Sequence, residues 1–164
     1  YLSRLESEVD PLSLVPADLA DLLRLAVQAL TPIAAAKDIR VDVTVGGDTG
    51  LRCDPDRIES AIKALLDNAI KFAPPGSTIK ATASPLAEEV ELVITDHGPG
   101  IPEDAISRIF ERFYKADESR GGPGSGLGLA IVKHVVQSHG GRVFVHSVVG
   151  QGSTFGFALP RRQP

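Results

Sequence analysis

The sequence predicts a two-layer α+β domain, with a mixed, mostly antiparallel sheet packed against three helices. Three stretches place apolar residues at helical spacing. Several others alternate apolar and polar residues as half-buried strands do, and most of these fall in consecutive pairs joined by short turns. The chain has 164 residues, 43% apolar and 23% charged, which is material for one hydrophobic core.

The elements follow in order. In residues 1–11, YLSRLESEVDP, Leu2, Leu5 and Val9 have helical spacing and Pro11 stops the run. A short strand is expected over 12–15. Asp18 to Ala36 predicts a helix, with Leu19, Leu22, Leu23, Ala26, Val27 and Leu30 on one face and Pro32 able to kink or end it. Ile39–Val45 alternates cleanly and predicts a strand, with another at Leu51–Cys53. Asp54-Pro55 reads as a helix cap followed by Pro in the first turn, and the helix carries Ile58, Ala61, Ile62, Leu65, Leu66, Ala69 and Ile70 as a stripe up to Pro74-Pro75-Gly76. Strands follow at Thr78–Pro85 and Val90–Thr95. A short helical stretch spans Glu103–Phe110, and a helix runs from Leu127 to Ser138. Strands Arg142–Val148 and Thr154–Leu159 close the chain.

Composition narrows the function. A net charge of −4 gives no electrostatic support for a nucleic-acid partner. The single cysteine, Cys53, excludes an intrachain disulfide and reads as an inert thiol. The longest uncharged apolar run, Leu25–Ala36, falls short of the ~20 residues a membrane span needs. The chain starts at Tyr1 and contains no Met, as expected of a piece of a larger protein.

GGPGSGLGLAIVKHV, from Gly121 to Val135, places five glycines in eight positions before a helix. It fits neither the dinucleotide fingerprint nor the P-loop nor the protein-kinase glycine loop. Glycines before a helix let backbone N–H groups and the helix dipole meet an anion; a plain loop before a helix start has the same composition. Four other stretches need the same joint explanation. LLDNAIKFAPPGS leaves Asp67, Asn68, Lys71 and Phe72 off the main core face, where an amide oxygen suits a hard cation and an ammonium suits a phosphate. An exposed polar face would also contain them. In DHGPG, an Asp at a strand end can accept a hydrogen bond from an exocyclic amine, or simply open a tight turn. IFERFYKAD places Phe110, Phe113 and Tyr114 among Arg112, Lys115 and the preceding Arg108, a pattern for a lid or for a surface helix packing one aromatic. GQGSTF is a Gly-rich hairpin turn.

Together these motifs resemble the catalytic, ATP-binding domain of sensor histidine kinases, of the ATPase superfamily shared with gyrase B, the MutL repair proteins and a heat-shock chaperone. LLDNAIKF is similar to the N box, DHGPGIP to the first glycine box, IFERFYKAD to the F box, GSGLGLAI to the second glycine box and GQGSTF to the last glycine block. The resemblance covers about residues 12–160. It implies the Bergerat-type two-layer α/β sandwich and a catalytic domain over 12–160, preceded by the tail of a dimerisation helix over 1–11 and followed by a short tail, 161–164.

The resemblance also implies roles. Asn68 would ligate the Mg²⁺ that bridges ATP phosphates, Lys71 would contact phosphate, and Phe72 would lie beside the adenine. Asp96 would bind the adenine amino group, with Gly98, Gly100 and Ile101 shaping that pocket. Gly124, Gly126, Leu127 and Gly128 would cradle the phosphates, Thr154 would lie near the adenine, and Arg112 or Lys115 would reach the γ-phosphate. The implied reaction is transfer of the ATP γ-phosphate to a histidine on a dimerisation domain of the same parent, docking near Phe110 and Phe113, with a cognate response regulator as onward partner. A cytoplasmic location, an inner-membrane parent and a monomeric isolated chain accompany it. The family's N box usually carries a second Asn where this chain has Ala64, which motivates an alternative: a nucleotide-binding regulatory module with weak or no kinase activity. An anti-sigma type serine kinase is disfavoured by the F box and the helix tail. None of His97, His134, His139 and His146 lies in the family's acceptor motif, so all four are expected to be structural or solvated.

Overall fold

The computed structural model describes residues 11–111 and 128–162. The expected helix tail, the lid cations Arg112 and Lys115, and the cradle residues Gly124, Gly126 and Leu127 lie outside the described residues. The described residues form, in order, β1 (Val15–Asp18), α1 (Leu19–Ala36), β2 (Arg40–Val45), β3 (Gly50–Cys53), α2 (Pro55–Phe72), β4 (Thr78–Pro85), β5 (Glu89–Asp96), α3 (Glu103–Ile106), α4 (Gly128–Ser138), β6 (Arg142–Val148) and β7 (Gly152–Pro160).

Five strands form one sheet in the order β2-β4-β5-β7-β6. Among the described strands of this sheet β2 and β4 run parallel and the other neighbours antiparallel. β1 and β3 make a separate antiparallel pair. The three long helices cover one face: α1 lies against β2 and β4, α2 against β5, and α4 against β6 and β7. The expected α+β class and the three-helix layer are therefore present.

The period of two in the strands decides which residues meet the helices. In β5, Val90, Leu92, Ile94 and Asp96 are the buried set. They pair with Leu159, Phe157, Phe155 and Ser153 of β7. An aspartate thus stands in line with the apolar core, at the sheet end where the chain turns away.

α2 is the central helix. Its seven buried apolar side chains form one stripe, and each buried Ile or Leu contributes about 1.5–3 kcal/mol. Asp54 caps its first turn by accepting the Arg57 N–H at 3.3 Å. α1 is long and apolar enough, by length and composition, to cross a membrane. Leu19, Leu23 and Ala26 are wholly buried in the protein core, while Leu25 and Ile33 of the same helix are exposed. Pro32 does not end α1. The turn around it is exposed, and the Thr31 hydroxyl bonds the Val27 carbonyl at 2.8 Å.

Several boundaries differ from expectation. The first strand is Val15–Asp18 rather than 12–15, because its register is set by pairing with Gly50–Cys53. The helix expected over Glu103–Phe110 closes at Ile106 and continues as turns, with the Arg108 N–H on Ala105 and the Glu111 N–H on Arg108. β5 and β7 are longer than expected because they pair along their whole length. Cys53 is fully buried, and burial pushes its thiol up to about 11, as suits an inert thiol.

Candidate functional site

The C-terminal end of α2, the loop after β5 and the β6–β7 hairpin converge. Their closeness is recorded by glycines that leave no room for a side chain. A Cβ on Gly98 would stand 2.7 Å from the Phe72 carbonyl oxygen and 3.0 Å from Asp96 Oδ1. Gly100, with φ of +78°, would press a Cβ to 2.4 Å from the Val148 carbonyl oxygen. Gly152 has φ of +128°, and its backbone lies directly on that of Asp96. Gly150 N–H also bonds the Pro99 carbonyl at 2.8 Å.

Asp96 sits where these elements meet. It is 4% exposed. Its Oδ1 accepts the Gly98 N–H at 2.8 Å, and the backbone of Ser153 lies opposite on β7. Burial raises its pKa above the ordinary carboxylate value; the backbone N–H groups of Gly98 and Ser153, and His97, oppose that rise. A buried carboxylate held by backbone donors has acceptor capacity left over, as a ligand's amine requires.

The polar face of α2 approaches the same region. Ala64, Asn68, Lys71 and Phe72 share one side, spaced by one and two turns. Asn68 is half-buried. Lys71 is paired with Asp67 at 3.3 Å, so an incoming anion competes with a carboxylate on the same helix. Phe72 is 40% exposed, a large apolar side chain left open at the rim. α4 begins close by: a Cβ on Gly128 would lie 4.0 Å from that of Ala64, one turn before Asn68. The first described turn of α4 therefore stands near the Asn68 face, where the positive end of a helix dipole suits an anion. Phe110, the first aromatic of the F box, is half-buried and packs edge-on against Phe155 with ring centres 6.3 Å apart.

Thr154 was expected near the adenine. It pairs with Thr95, with their hydroxyls 3.3 Å apart, on the sheet face opposite the helices. The residue opposite Asp96 is Ser153, on the helix-facing side and 7% exposed. Counting by two from Phe155 and Phe157 would have identified it.

Two further residues carried no signal in the sequence. Lys37 donates its ammonium to the carbonyls of Ile70 and Lys71 at 2.8 and 2.7 Å, capping the site end of α2 from another element. His139 is fully buried. Its Nε2 accepts the Asp54 N–H at 3.0 Å and its Nδ1 lies 2.8 Å from the Val135 carbonyl, so the neutral Nδ1–H tautomer fits. Burial lowers its pKa, as expected for a structural histidine. His97 and His146 are exposed and His134 is half-buried.

Among the described residues, no group of three or more His, Cys, Asp or Glu side chains could hold a metal. A cation at Asn68 would need other oxygen ligands, and phosphate groups supply them.

Residues 53–163 match the family model described as histidine kinase-, DNA gyrase B- and HSP90-like ATPase, and the chain belongs to that family. Within it, the chain is an ATP-binding catalytic domain of the sensor histidine kinase type. It is 39% identical over 141 residues to the adaptive-response sensory kinase SasA of Synechococcus elongatus, covering 85% of this chain and 36% of that protein. It is 41% identical over 152 residues to the histidine-protein kinase/phosphatase MprB of Mycolicibacterium paratuberculosis, covering 90% of this chain and 28% of that protein. The chain thus spans about a third of the length of these relatives. Among solved structures, the mycobacterial sensor histidine kinase MprB superposes with a TM-score of 0.81 at 34% identity, covering 92% of this chain and 99% of that one. Full-length ShkA in complex with AMPPNP superposes with a TM-score of 0.87 at 34% identity, covering 99% of this chain and 34% of that one.

Proposed function

We propose that this chain binds Mg·ATP and positions the γ-phosphate for transfer to a histidine on another domain of its parent, a two-component sensor kinase with a response regulator as onward partner. The observation that carries the reading is Asp96: a buried carboxylate, fixed by backbone N–H groups, with a glycine cradle beside it. That arrangement suits a flat ring bearing an exocyclic amine. The AMPPNP in the ShkA structure carries such a ring.

In this reading Asp96 accepts the adenine amine, while Gly98, Gly100 and Ile101 give the ring access to the backbone. Phe72 covers the ring from the rim. Asn68 offers its amide oxygen to Mg²⁺, whose charge, when bound, offsets that of the phosphate oxygens. Lys71 leaves Asp67 for a phosphate. Gly128 starts the helix whose N-terminal N–H groups face the phosphates, with Gly124, Gly126 and Leu127 before it in sequence. Arg112 and Lys115 are the cations proposed for the γ-phosphate. Transfer then rests on positioning and electrostatics: the γ-phosphorus gains a bond to the acceptor imidazole nitrogen as its bond to the bridging oxygen breaks.

His139 is unsuited as acceptor because both ring nitrogens are engaged and buried. Titration calorimetry of the chain with ATP, with and without Mg²⁺, tests the binding step. Magnesium-dependent binding is expected, and no binding in either condition overturns the proposal. A longer chain with its upstream helices should yield acid-labile phosphate from Mg·ATP; an acid-stable product would overturn the histidine assignment.

A further inference from the structure

Ser147 lies beside the candidate site without belonging to any of its motifs. It occupies the helix-facing side of β6, directly opposite Ser153 of β7, which is in turn opposite Asp96 of β5. Three residues on three strands therefore form one row ending at the carboxylate. The Ser147 hydroxyl joins more than this row. It accepts the N–H of Ile101 at 2.7 Å, lies 2.8 Å from the Ser153 hydroxyl, and lies 3.0 Å from the Gly152 carbonyl oxygen, to which it can donate. Ile101 ends the glycine loop that begins after Asp96, and Pro102 and α3 follow it.

A hydroxyl has one hydrogen and two lone pairs. With the Ile101 N–H occupying one lone pair, two arrangements remain. Either Ser147 donates to Gly152 and accepts from Ser153, or it donates to Ser153 and leaves the Ser153 hydrogen free to turn to another acceptor. A ligand beside Asp96 that takes the Ser153 hydrogen selects the second arrangement. In both, the Ile101 N–H depends on Ser147, since no other partner for it is present among the described residues.

We propose that Ser147 is a positioning residue for nucleotide. It holds the far end of the glycine loop and the Ser153 hydroxyl in one frame, so that the loop leaving the adenine side is registered against the strand pair carrying Asp96. The inference rests on the nucleotide-binding reading above. Alanine at 147 leaves a partly buried N–H without its acceptor and frees the loop end. Threonine keeps the hydroxyl.

The test is Mg·ATP titration of the 164-residue chain and its variants, with apo thermal melts alongside. Loss of one buried hydrogen-bond acceptor predicts that Ser147→Ala binds roughly 5- to 20-fold more weakly, while Ser147→Thr stays within about 3-fold. Val145→Ala, two residues away on the same strand, controls for stability alone: it should lower the melting temperature and leave affinity unchanged. If Ser147→Ala binds as tightly as the unsubstituted chain, or if Val145→Ala weakens binding as much, the inference fails while the nucleotide-binding reading stands. If the unsubstituted chain does not bind, both fall. Should Ser147→Ala not fold, amide exchange at Ile101 in the unsubstituted chain decides. Slow exchange that slows further with Mg·ATP supports the positioning role, and exchange unmoved by nucleotide overturns it.

Discussion

The two ends of α2 put the same kinds of residue to opposite uses. At its N-terminus, Asp54 takes the N–H groups of Ser13 and Arg57 and the Arg57 guanidinium, and its own N–H goes to His139. At its C-terminus, Asn68 is half-buried and Phe72 exposed, and the nearby Asp96 accepts the Gly98 N–H beside a glycine-lined opening. One end is closed on itself and serves stability. The other is held open, and its buried carboxylate costs stability in the absence of ligand.

The comparison is broken most severely at Asp96. Asp96→Asn keeps an oxygen for the Gly98 N–H but turns an NH₂ toward the adenine amine. We expect nucleotide affinity to fall about 1000-fold by calorimetry, because two donors then face each other. The pKa of Asp96 is raised, so the folded state holds its proton more tightly than the unfolded one. Its stability contribution is greatest below the ordinary carboxylate pKa and is lost as pH rises through the raised value. At pH 7 the neutral Asn should therefore leave the apo melting temperature equal or higher; a marked drop would show that this end also serves the fold.

His139→Ala attacks the closed end. It strands the Asp54 N–H in the core, and we expect a loss of about 3 kcal/mol in urea unfolding, with nucleotide affinity of the folded protein within about 2-fold. The sign of the pH effect follows from the lowered pKa. Below the unfolded value of 6.5 the unfolded chain takes up a proton that the buried ring resists, so stability falls as pH drops through 6.5 toward the lower folded value. The decline should be shallower in the variant; equal slopes would clear His139 of this role.

Gly100→Ala should weaken nucleotide binding about 10-fold. A Cβ at that positive φ meets the hairpin backbone, and the loop must move by a cost of roughly 1–2 kcal/mol. Lys37→Met has the smallest expected effect, about 3-fold in affinity, since water can replace part of the lost cap while Ile70 and Lys71 still lie in α2. Arginine there should restore most of it.

The sequence carried most of the layout because periodicity is local. The α2 stripe and the alternation of β2 and β6 could be read directly, and the long elements expected within the described residues are present. Pairing is not local. Nothing in Arg40–Val45 indicates that it runs parallel to Thr78–Ala83, and nothing at His139 points to Asp54, 85 residues away. Pro32 was ambiguous because an exposed turn tolerates a missing bond that a buried one would not. At the site, motif order brought Asn68 and Asp96 forward, while Thr154 lies on the sheet face opposite Asp96 and its neighbour Ser153 on the same face, a difference that a period of two imposes on adjacent residues. Ser153 and Ser147 look like ordinary strand serines until the three strands are side by side.

The eighteen residues of α2 span about 27 Å. That distance lies well beyond the range over which substitutions interfere with one another. Changes at the Asp54 end and at the Asn68 end should therefore add. A lineage could retune what the open end binds, one substitution at a time, while drawing on a reserve of robustness kept at the other end of the same rod.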